Sequence, residues 1–245
     1  AIHPQHGQDA ETLIKHADVA MYNAKRNRLG YALYESSNDG DDHYLALAND
    51  LRSALSENSL DIAYQLKYDV TSDEPIGAEA LLRWNHPTLG YISPMQIIPI
   101  AEQLGIINRL TSWILNRALY QCAQWREQGI FLNVAVNLSV YDLQMADIVT
   151  HIQGLLDEYD VSPSYLTVEI TESAMLINPL HAVEILRQID EMGVRIAIDD
   201  FGTGFSSLSY LKKLPVDELK IDKSFVMDMI NNENDAIIVR STIDL

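Results

Sequence analysis

The sequence is poor in cysteine and in basic residues, and each shortage excludes a class of function. Cys122 is the single cysteine among 245 residues, so the chain forms no internal disulfide and holds no cysteine-based zinc site. Lysine and arginine number 17 against 35 acidic residues, which gives a net charge of −18. Such an acidic balance disfavours broad binding to nucleic acid polymers or to anionic lipid. Any phosphate ligand must therefore be attracted locally, by a few cations or by metal ions.

Long apolar runs are also missing. No segment approaches the roughly 18 uninterrupted apolar residues that cross a bilayer, and the first residues do not resemble a signal peptide. We therefore expect this chain to be soluble in a reducing cytoplasm, although a longer parent protein could be anchored in a membrane. The apolar share of 47% is ordinary for a globular protein and provides for a sizeable core.

The chain divides into two unequal parts by its pattern. Apolar residues recur at helical spacing over residues 10–27, and residues 31–34 suggest a short strand after Gly30. Such a helix and strand cannot bury their apolar faces alone, so residues 1–36 are interpreted as the end of a domain whose body is missing. The polar residues 37–43 predict a linker. Residues 44–245 then form the main domain, beginning with an amphipathic helix over residues 43–55.

From residue 60 onward, predicted strands alternate with predicted helices. This alternation indicates parallel strands with helices covering a face, which is an α/β fold. The strands are predicted at residues 61–67, 76–84, 132–138, 165–170, 194–199 and 218–222. The clearest helices are predicted at residues 106–128, 143–159, 179–192 and 206–214.

Polar side chains fall near the carboxyl ends of these strands. Side chains alternate across a strand, so one face of each strand is apolar while the other carries small residues followed by a polar one. This layout is typical of a (β/α) barrel, whose chemistry lies at the C-terminal mouth of the strands. The polar residues expected to converge there are Glu79, Asn137, Glu169, Asp199, Asp200, Lys220 and Asp222.

So many carboxylates would repel one another unless a cation held them together. Oxygen ligands without cysteine or histidine favour a hard ion such as Mg²⁺ or Mn²⁺. The adjacent Asp199 and Asp200 would suit a two-metal site for phosphodiester hydrolysis, with Lys220 orienting or deprotonating the attacking water. Two alternatives remain at this point. Lys220 would form only a structural salt bridge, or the barrel would be a lyase or isomerase with a metal, carboxylates and a lysine base.

The motifs resemble those of a known family. The segment GAEALLRWNHPTLG contains Glu79-Ala80-Leu81 and is similar to the signature of EAL domains, the bacterial cyclic-di-GMP phosphodiesterases. AEQLG, VAVNLS, VEITES and IAIDDFGTGFSSLSYLKKLPVDELKIDKSFV continue the likeness from about Ser53 to the end of the chain. Residues 1–36 resemble the last part of a GGDEF domain without its signature loop, so no cyclase activity is assigned to them.

The resemblance implies a role for each matching residue. Glu79, Asn137, Glu169 and Asp199 match the ligands of the first metal, and Asp200 matches a ligand of the second. Lys220 matches the lysine that contacts the catalytic water. The remaining matches are Glu172, which steadies the loop after the paired aspartates, and the substrate contacts Gln65 and Arg83, with Arg83 reaching a phosphate.

Two departures from the family pattern accompany these matches. Leu66 stands where the family usually has proline, which we expect to cost little. The sequence also ends at Leu245, so we expect a barrel without its last two strands, including a glutamate of the second metal site, and therefore weak or absent turnover.

The resemblance implies metal-dependent hydrolysis of cyclic-di-GMP to linear pGpG in bacterial second-messenger signalling. The alternative is a cyclic-di-GMP receptor or regulatory module without turnover. The implied partners are cyclic-di-GMP, the GGDEF and sensor region of the parent protein, and a second copy in the family's dimer.

Overall fold

The computed structural model describes residues 1–26, 31–34, 39–145, 147–172, 174, 178–203 and 214–244. They form two compact units, Ala1–Glu57 and Asn58–Leu245. Within these ranges, no helix combines the length and the apolar character that spanning a membrane requires.

The first unit contains helices α1 (Ala10–Arg26) and α2 (Asp39–Ser56). Helix α2 begins inside the segment predicted as a linker, and its buried residues Leu47, Leu51 and Ala54 follow helical spacing. The strand predicted at residues 31–34 is not formed. No strand among the described residues pairs with this segment, and the Tyr34 ring instead stacks on His16 of α1 with 3.7 Å between centroids.

The second unit is built on a seven-stranded sheet in the order β1-β2-β4-β5-β6-β7, with β3 paired to β2. The pairs from β2 through β7 along this path are parallel. All six predicted strands are present. The strands are β1 (Asp61–Tyr68), β2 (Pro75–His86), β3 (Gly90–Ile92), β4 (Asn133–Leu138), β5 (Leu166–Thr171), β6 (Arg195–Phe201) and β7 (Glu218–Ile221).

Strand β1 corrects the expectation that all strands are parallel, because it pairs antiparallel with β2. The connection between them is a short turn in which Asp69 Oδ1 accepts hydrogen bonds from the backbone nitrogens of Thr71 and Ser72, each at 2.8 Å. A connection this short can only reverse the chain, since a parallel crossover needs a dozen or more residues. The short strand β3, which was not predicted, also pairs antiparallel with β2.

Helices lie between the strands, and the predictions for α4, α5 and α6 are confirmed with small shifts at their ends. Helix α3 was not predicted, since Pro94 and Pro99 interrupt its pattern; Pro94 occupies the first turn, where proline is tolerated. The helix predicted at residues 206–214 lies outside the described residues except for its last position. The helices are α3 (Pro94–Gln103), α4 (Ile107–Glu127), α5 (Ile148–Tyr159), α6 (Pro179–Glu191), α7 (Lys223–Asp228) and α8 (Glu233–Ile243).

Burial along β2 follows the predicted alternation. Ala78, Ala80, Leu82 and Trp84 are all buried, whereas Glu79 on the opposite face is half-buried. The buried face belongs to the apolar core, to which α4 contributes a stripe of fully buried residues that includes Leu115. The opposite face of the sheet is therefore left for polar groups.

The polar face lies on the inside of a curled sheet. Lys220 Nζ on β7 lies 3.1 Å from Glu79 Oε2 on β2, although three strands separate β2 from β7. In a flat sheet, four strand spacings would place these strands about 19 Å apart, beyond the reach of the two side chains. The sheet must therefore curve around its polar face, as the strands of a barrel do.

Candidate functional site

Five predicted site residues come from five different strands and meet on the inner face of the sheet. Glu79, Glu169 and Asp199 each direct one carboxylate oxygen into a group whose ligand atoms lie within 4.8 Å of one another. The group forms because the three residues lie on the same inner face of β2, β5 and β6, which the curled sheet brings together. Asn137 and Lys220 complete the set.

The Lys220 ammonium lies at the centre of the three carboxylates. Its Nζ is 3.1 Å from Glu79 Oε2 and 3.0 Å from Asp199 Oδ2, and it also donates to Glu169 Oε2. Burial lowers the pKa of Lys220, but the three carboxylates outweigh that effect and raise the pKa above its usual value. In this arrangement Lys220 is a cation that neutralises the acids.

Glu169 is fully buried and contacts two lysines through different oxygens. Lys67 Nζ donates to Oε1 at 2.8 Å, while Lys220 donates to Oε2. Burial raises the pKa of Glu169, and the hydrogen bonds from the two lysines lower it without cancelling the increase. Lys67 was not predicted as a site residue. The alternation of β1 could have found it, because Lys67 shares a face with Gln65.

The donor set suits a hard metal ion. Three carboxylates and the Asn137 amide offer only oxygen ligands from the strands, as Mg²⁺ or Mn²⁺ prefers. In this structure Asn137 donates its Nδ2 to Glu79 Oε1 at 2.8 Å, so the amide is already held against the carboxylate group. These residues therefore fit a divalent cation, which would bind among the carboxylates that the Lys220 ammonium contacts in this structure.

The pair Asp199 and Asp200 lies within β6 at an irregularity where the register with β7 shifts. Asp200 has φ of 54°, a left-handed conformation that is uncommon outside glycine, and its backbone nitrogen donates to Asp199 Oδ1 at 3.0 Å. Burial raises the pKa of the Asp200 carboxyl, as do the neighbouring Asp199 and Asp222. Asp222, which was expected to converge with these residues, hydrogen bonds with Asp200 and caps α7 by accepting from the backbone nitrogen of Ser224 at 2.9 Å.

The other predicted residues lie around this centre. Glu172 is buried, and its Oε2 accepts a hydrogen bond of 3.2 Å from the backbone nitrogen of Gly202, in the loop that follows the paired aspartates. Residues 204–213, which follow in the sequence, lie outside the described residues. Gln65 is exposed on β1 opposite Glu79. Arg83 lies on the same face of β2 as Leu81. Its Nη1 donates a hydrogen bond of 2.9 Å to the carbonyl of Leu82.

A cleft of about 740 Å³ opens beside the carboxylates. Asn137, Asp199 and Asp200 line one part of it, and apolar side chains of α3 and α4 such as Met95 and Ile114 line another. The cleft is of the size that takes a small-molecule ligand, with polar groups concentrated at one end.

Comparison with known proteins agrees with the motifs. The family model of the EAL domain matches residues 48–245. The chain is 42% identical over 248 residues to the bifunctional diguanylate cyclase/cyclic di-GMP phosphodiesterase MucR of Pseudomonas aeruginosa, a match that covers 100% of this chain and 36% of MucR. It is 37% identical to the cyclic di-GMP phosphodiesterase PdeR of Escherichia coli, covering 99% of this chain and 37% of PdeR. The chain thus spans about a third of the length of these curated relatives.

Solved structures share the fold. The PaMucR phosphodiesterase in its c-di-GMP complex superposes with a TM-score of 0.77 at 42% identity, with 80% of each chain covered. The EAL enzyme Bd1971 in its cAMP and cyclic-di-GMP bound form superposes with a TM-score of 0.78 at 28% identity, covering 98% of this chain and 64% of that one. These likenesses confirm the predicted α/β fold of the barrel type.

Proposed function

The chain belongs to the EAL domain family, and on that premise we propose that it hydrolyses cyclic-di-GMP to linear pGpG with the help of divalent metal ions. The observation that carries the proposal is the group of Glu79, Glu169 and Asp199, whose carboxylate oxygens lie within 4.8 Å of one another beside a cleft. Three strands contribute these acids, and a purely structural role does not require them to converge. The names of MucR and PdeR support the same reaction.

The metal ligands in this proposal are Glu79, Asn137, Glu169 and Asp199, with Asp200 available to a second ion. We assign Mg²⁺ or Mn²⁺ because all of these donors are hard oxygens. When bound, such ions supply Lewis-acid chemistry, which stabilises negative charge on the phosphodiester as it is attacked. Glu172 fixes the backbone of the adjacent loop through its hydrogen bond with Gly202.

Lys220 and Arg83 supply the positive side-chain charges of the site. Lys220 keeps its proton while it contacts three carboxylates, so in the metal-free form it neutralises their charge. We propose that it orients the attacking water once a divalent ion takes over that neutralisation. Arg83 would bind a phosphate of the substrate, and Gln65 would contact the substrate from β1. The cleft beside Asp199 and Asp200 would receive the body of the nucleotide.

The wider setting of the reaction is also part of the proposal. Residues 1–36 would be the end of a GGDEF domain and residues 44–245 the EAL domain of a longer signalling protein. MucR carries both activities in its name, which supports this interpretation. A dimer formed through the EAL domain and a cytoplasmic location for hydrolysis complete the proposed setting.

Product chromatography tests the proposed reaction. The full chain is incubated with cyclic-di-GMP and either Mg²⁺ or Mn²⁺, and linear pGpG is quantified over time. Loss of a residue that supports a metal ligand lowers activity by about 10- to 100-fold. Because Glu169→Gln removes a proposed ligand itself, we expect it to reduce turnover by more than that. Glu127→Gln, which alters an exposed carboxylate at the end of α4, is the matched control and should leave turnover unchanged.

Two other outcomes would change the assignment. Binding of cyclic-di-GMP without any product, measured by calorimetry and chromatography both on this chain and on a longer protein with the last two barrel strands, would support a receptor or regulatory module. If the chain neither binds nor cleaves cyclic-di-GMP in the presence of either metal, the proposed function is wrong.

A further inference from the structure

Glu169 uses its two oxygens for two different purposes. Oε2 faces Glu79, Asp199 and Lys220, where the proposed metal would lie. Oε1 accepts a hydrogen bond from Lys67 Nζ at 2.8 Å. Because the Glu169 side chain is 0% exposed, water does not solvate Oε1, and Lys67 is the donor that satisfies it.

Lys67 reaches Glu169 from a strand that is not adjacent to β5. The sheet order places β2 and β4 between β1 and β5. The residue directly opposite Lys67 on β2 is Gly77, which has no side chain to block the inner face at this point. The lysine is also anchored by Glu218 of β7, whose Oε1 lies 3.0 Å from Nζ. Lys67 is therefore held between the carboxylates of Glu169 on β5 and Glu218 on β7.

The charged side chains around Lys67 and Lys220 form an inner cluster with a net negative charge that one divalent ion would neutralise. Glu79, Glu169, Asp199 and Glu218 contribute four negative charges, and Lys67 and Lys220 contribute two positive ones. The net charge of these six groups is then −2. Buried charges are tolerated when they are paired, so a cation of charge +2 suits the cluster with both lysines protonated.

We propose that Lys67 is a positioning residue for the metal site, which fixes Glu169 so that Oε2 alone is presented to the metal. This inference rests on the proposed function, because it concerns the same site. Residues that hydrogen bond to a metal ligand orient that ligand and limit the geometries in which it binds the metal. Without Lys67, the buried Oε1 would have no donor among the residues that the structure describes, and the carboxylate would turn to satisfy it at the expense of the ligand geometry.

The sign of the effect separates positioning from simple charge. If Lys67 acted only as a nearby positive charge, its removal would make the cluster more negative and would strengthen binding of a cation. If Lys67 positions Glu169, its removal weakens binding despite the added negative charge. We expect Lys67→Met to weaken Mn²⁺ binding by about 10- to 100-fold.

Titration of Mn²⁺ alone into the metal-free full chain tests the proposal. Free Mn²⁺ is followed by electron paramagnetic resonance, so the measurement does not depend on turnover. Lys67→Arg, which keeps a charged donor, should recover part of the lost affinity. Arg187→Met is the matched control: it also replaces a basic residue with methionine, at an exposed position of α6, and should leave the affinity unchanged.

Each result has a distinct meaning. If the wild-type chain binds Mn²⁺ and Lys67→Met binds it equally well or more tightly, the positioning role is wrong while the proposed function stands. If the wild-type chain does not bind Mn²⁺, the metal-dependent function itself fails. Thermal unfolding in EDTA checks that each variant is folded. If Lys67→Met does not fold, Lys67→Leu, which also removes the donor, takes its place with the same expected direction.

Discussion

Asp142 is a buried carboxylate that takes no part in the proposed chemistry. Its Oδ2 accepts hydrogen bonds of 2.8 Å from Thr111 Oγ1 and from the backbone nitrogen of Ser139. Its Oδ1 has no partner among the described residues. Burial raises the pKa of Asp142, although the hydrogen bonds from Ser139 and Thr111 lower it in part. The folded state therefore holds a proton on Asp142 more tightly than the unfolded chain does.

This raised pKa predicts how stability changes in Asp142→Asn. As the pH falls through the raised pKa, the wild-type carboxyl becomes neutral and the wild type gains stability, whereas the asparagine does not titrate. The variant should therefore be most stable relative to the wild type at high pH and should lose that advantage at low pH. Urea unfolding at about pH 8 and at about pH 4, near the ordinary pKa of an aspartate, measures the difference. Asp157→Asn, at an exposed position of α5, controls for the change in net charge. A difference that stays constant between the two pH values would refute the prediction.

The proposed metal ligands could be predicted from the sequence because each one obeys a simple rule of alternation along a strand. Glu79, Asn137, Glu169 and Asp199 lie on the inner face of their strands, as the alternation requires. The alternation of β1 places Lys67 on the same face as Gln65, but it does not show which residues Lys67 contacts. Its importance depends on the sheet curling, which brings Lys67 to Glu169 across two intervening strands.

Close packing between β2 and β4 restricts which residues can stand near the amino-terminal ends of these strands. Gly77 of β2 is the Cα partner of Asn133 of β4, and the Asn133 side chain occupies the space beside the glycine. A Cβ added at Gly77 would lie 2.0 Å from Asn133 Oδ1. The glycine thus allows β2 and β4 to pair while Asn133 keeps its orientation.

Gly77→Ala should consequently destabilise the fold. The new methyl group would displace the Asn133 side chain, a form of overpacking that costs about 1 to 3 kcal/mol. Chemical denaturation measures the loss in the free energy of unfolding. The double variant Gly77→Ala with Asn133→Ala removes the obstructing amide and should be less destabilised than the sum of the single variants. Additive effects of the two substitutions would show that the predicted clash does not occur.

Strands and helices differed in how well the sequence predicted them. The six longer strands of the second unit were predicted because apolar residues alternate clearly, as in β2, where Ala78, Ala80, Leu82 and Trp84 are buried. The direction of β1 was missed because periodicity carries no information about orientation. It follows from the turn at Asp69, which is too short for a crossover. Helix α3 was missed because Pro99 inside it suggests an interruption.

At the scale of the whole molecule, the proposed metal ion would tie distant strands together. Its ligands belong to β2, β4, β5 and β6, so the ion would bind only where those strands are assembled. The unfolded chain does not hold these residues in one place. A ligand that binds only the folded state stabilises it according to its concentration relative to the dissociation constant. The net charge of −18 adds to this expectation, because a bound cation relieves repulsion among acidic groups.

Mn²⁺ should therefore raise the thermal unfolding temperature of the chain. At an ion concentration of 100 times the dissociation constant, the stabilisation is about 2.7 kcal/mol, which corresponds to about 5 to 10 °C for a unit of this size. Scanning calorimetry with Mn²⁺ and with EDTA measures the shift. In Glu169→Gln the shift should nearly disappear, since a buried ligand is lost. The exposed-site variant Glu127→Gln should keep the full shift. An equal shift in all three proteins would mean that Mn²⁺ acts through the acidic surface and not through the carboxylates of the inner face.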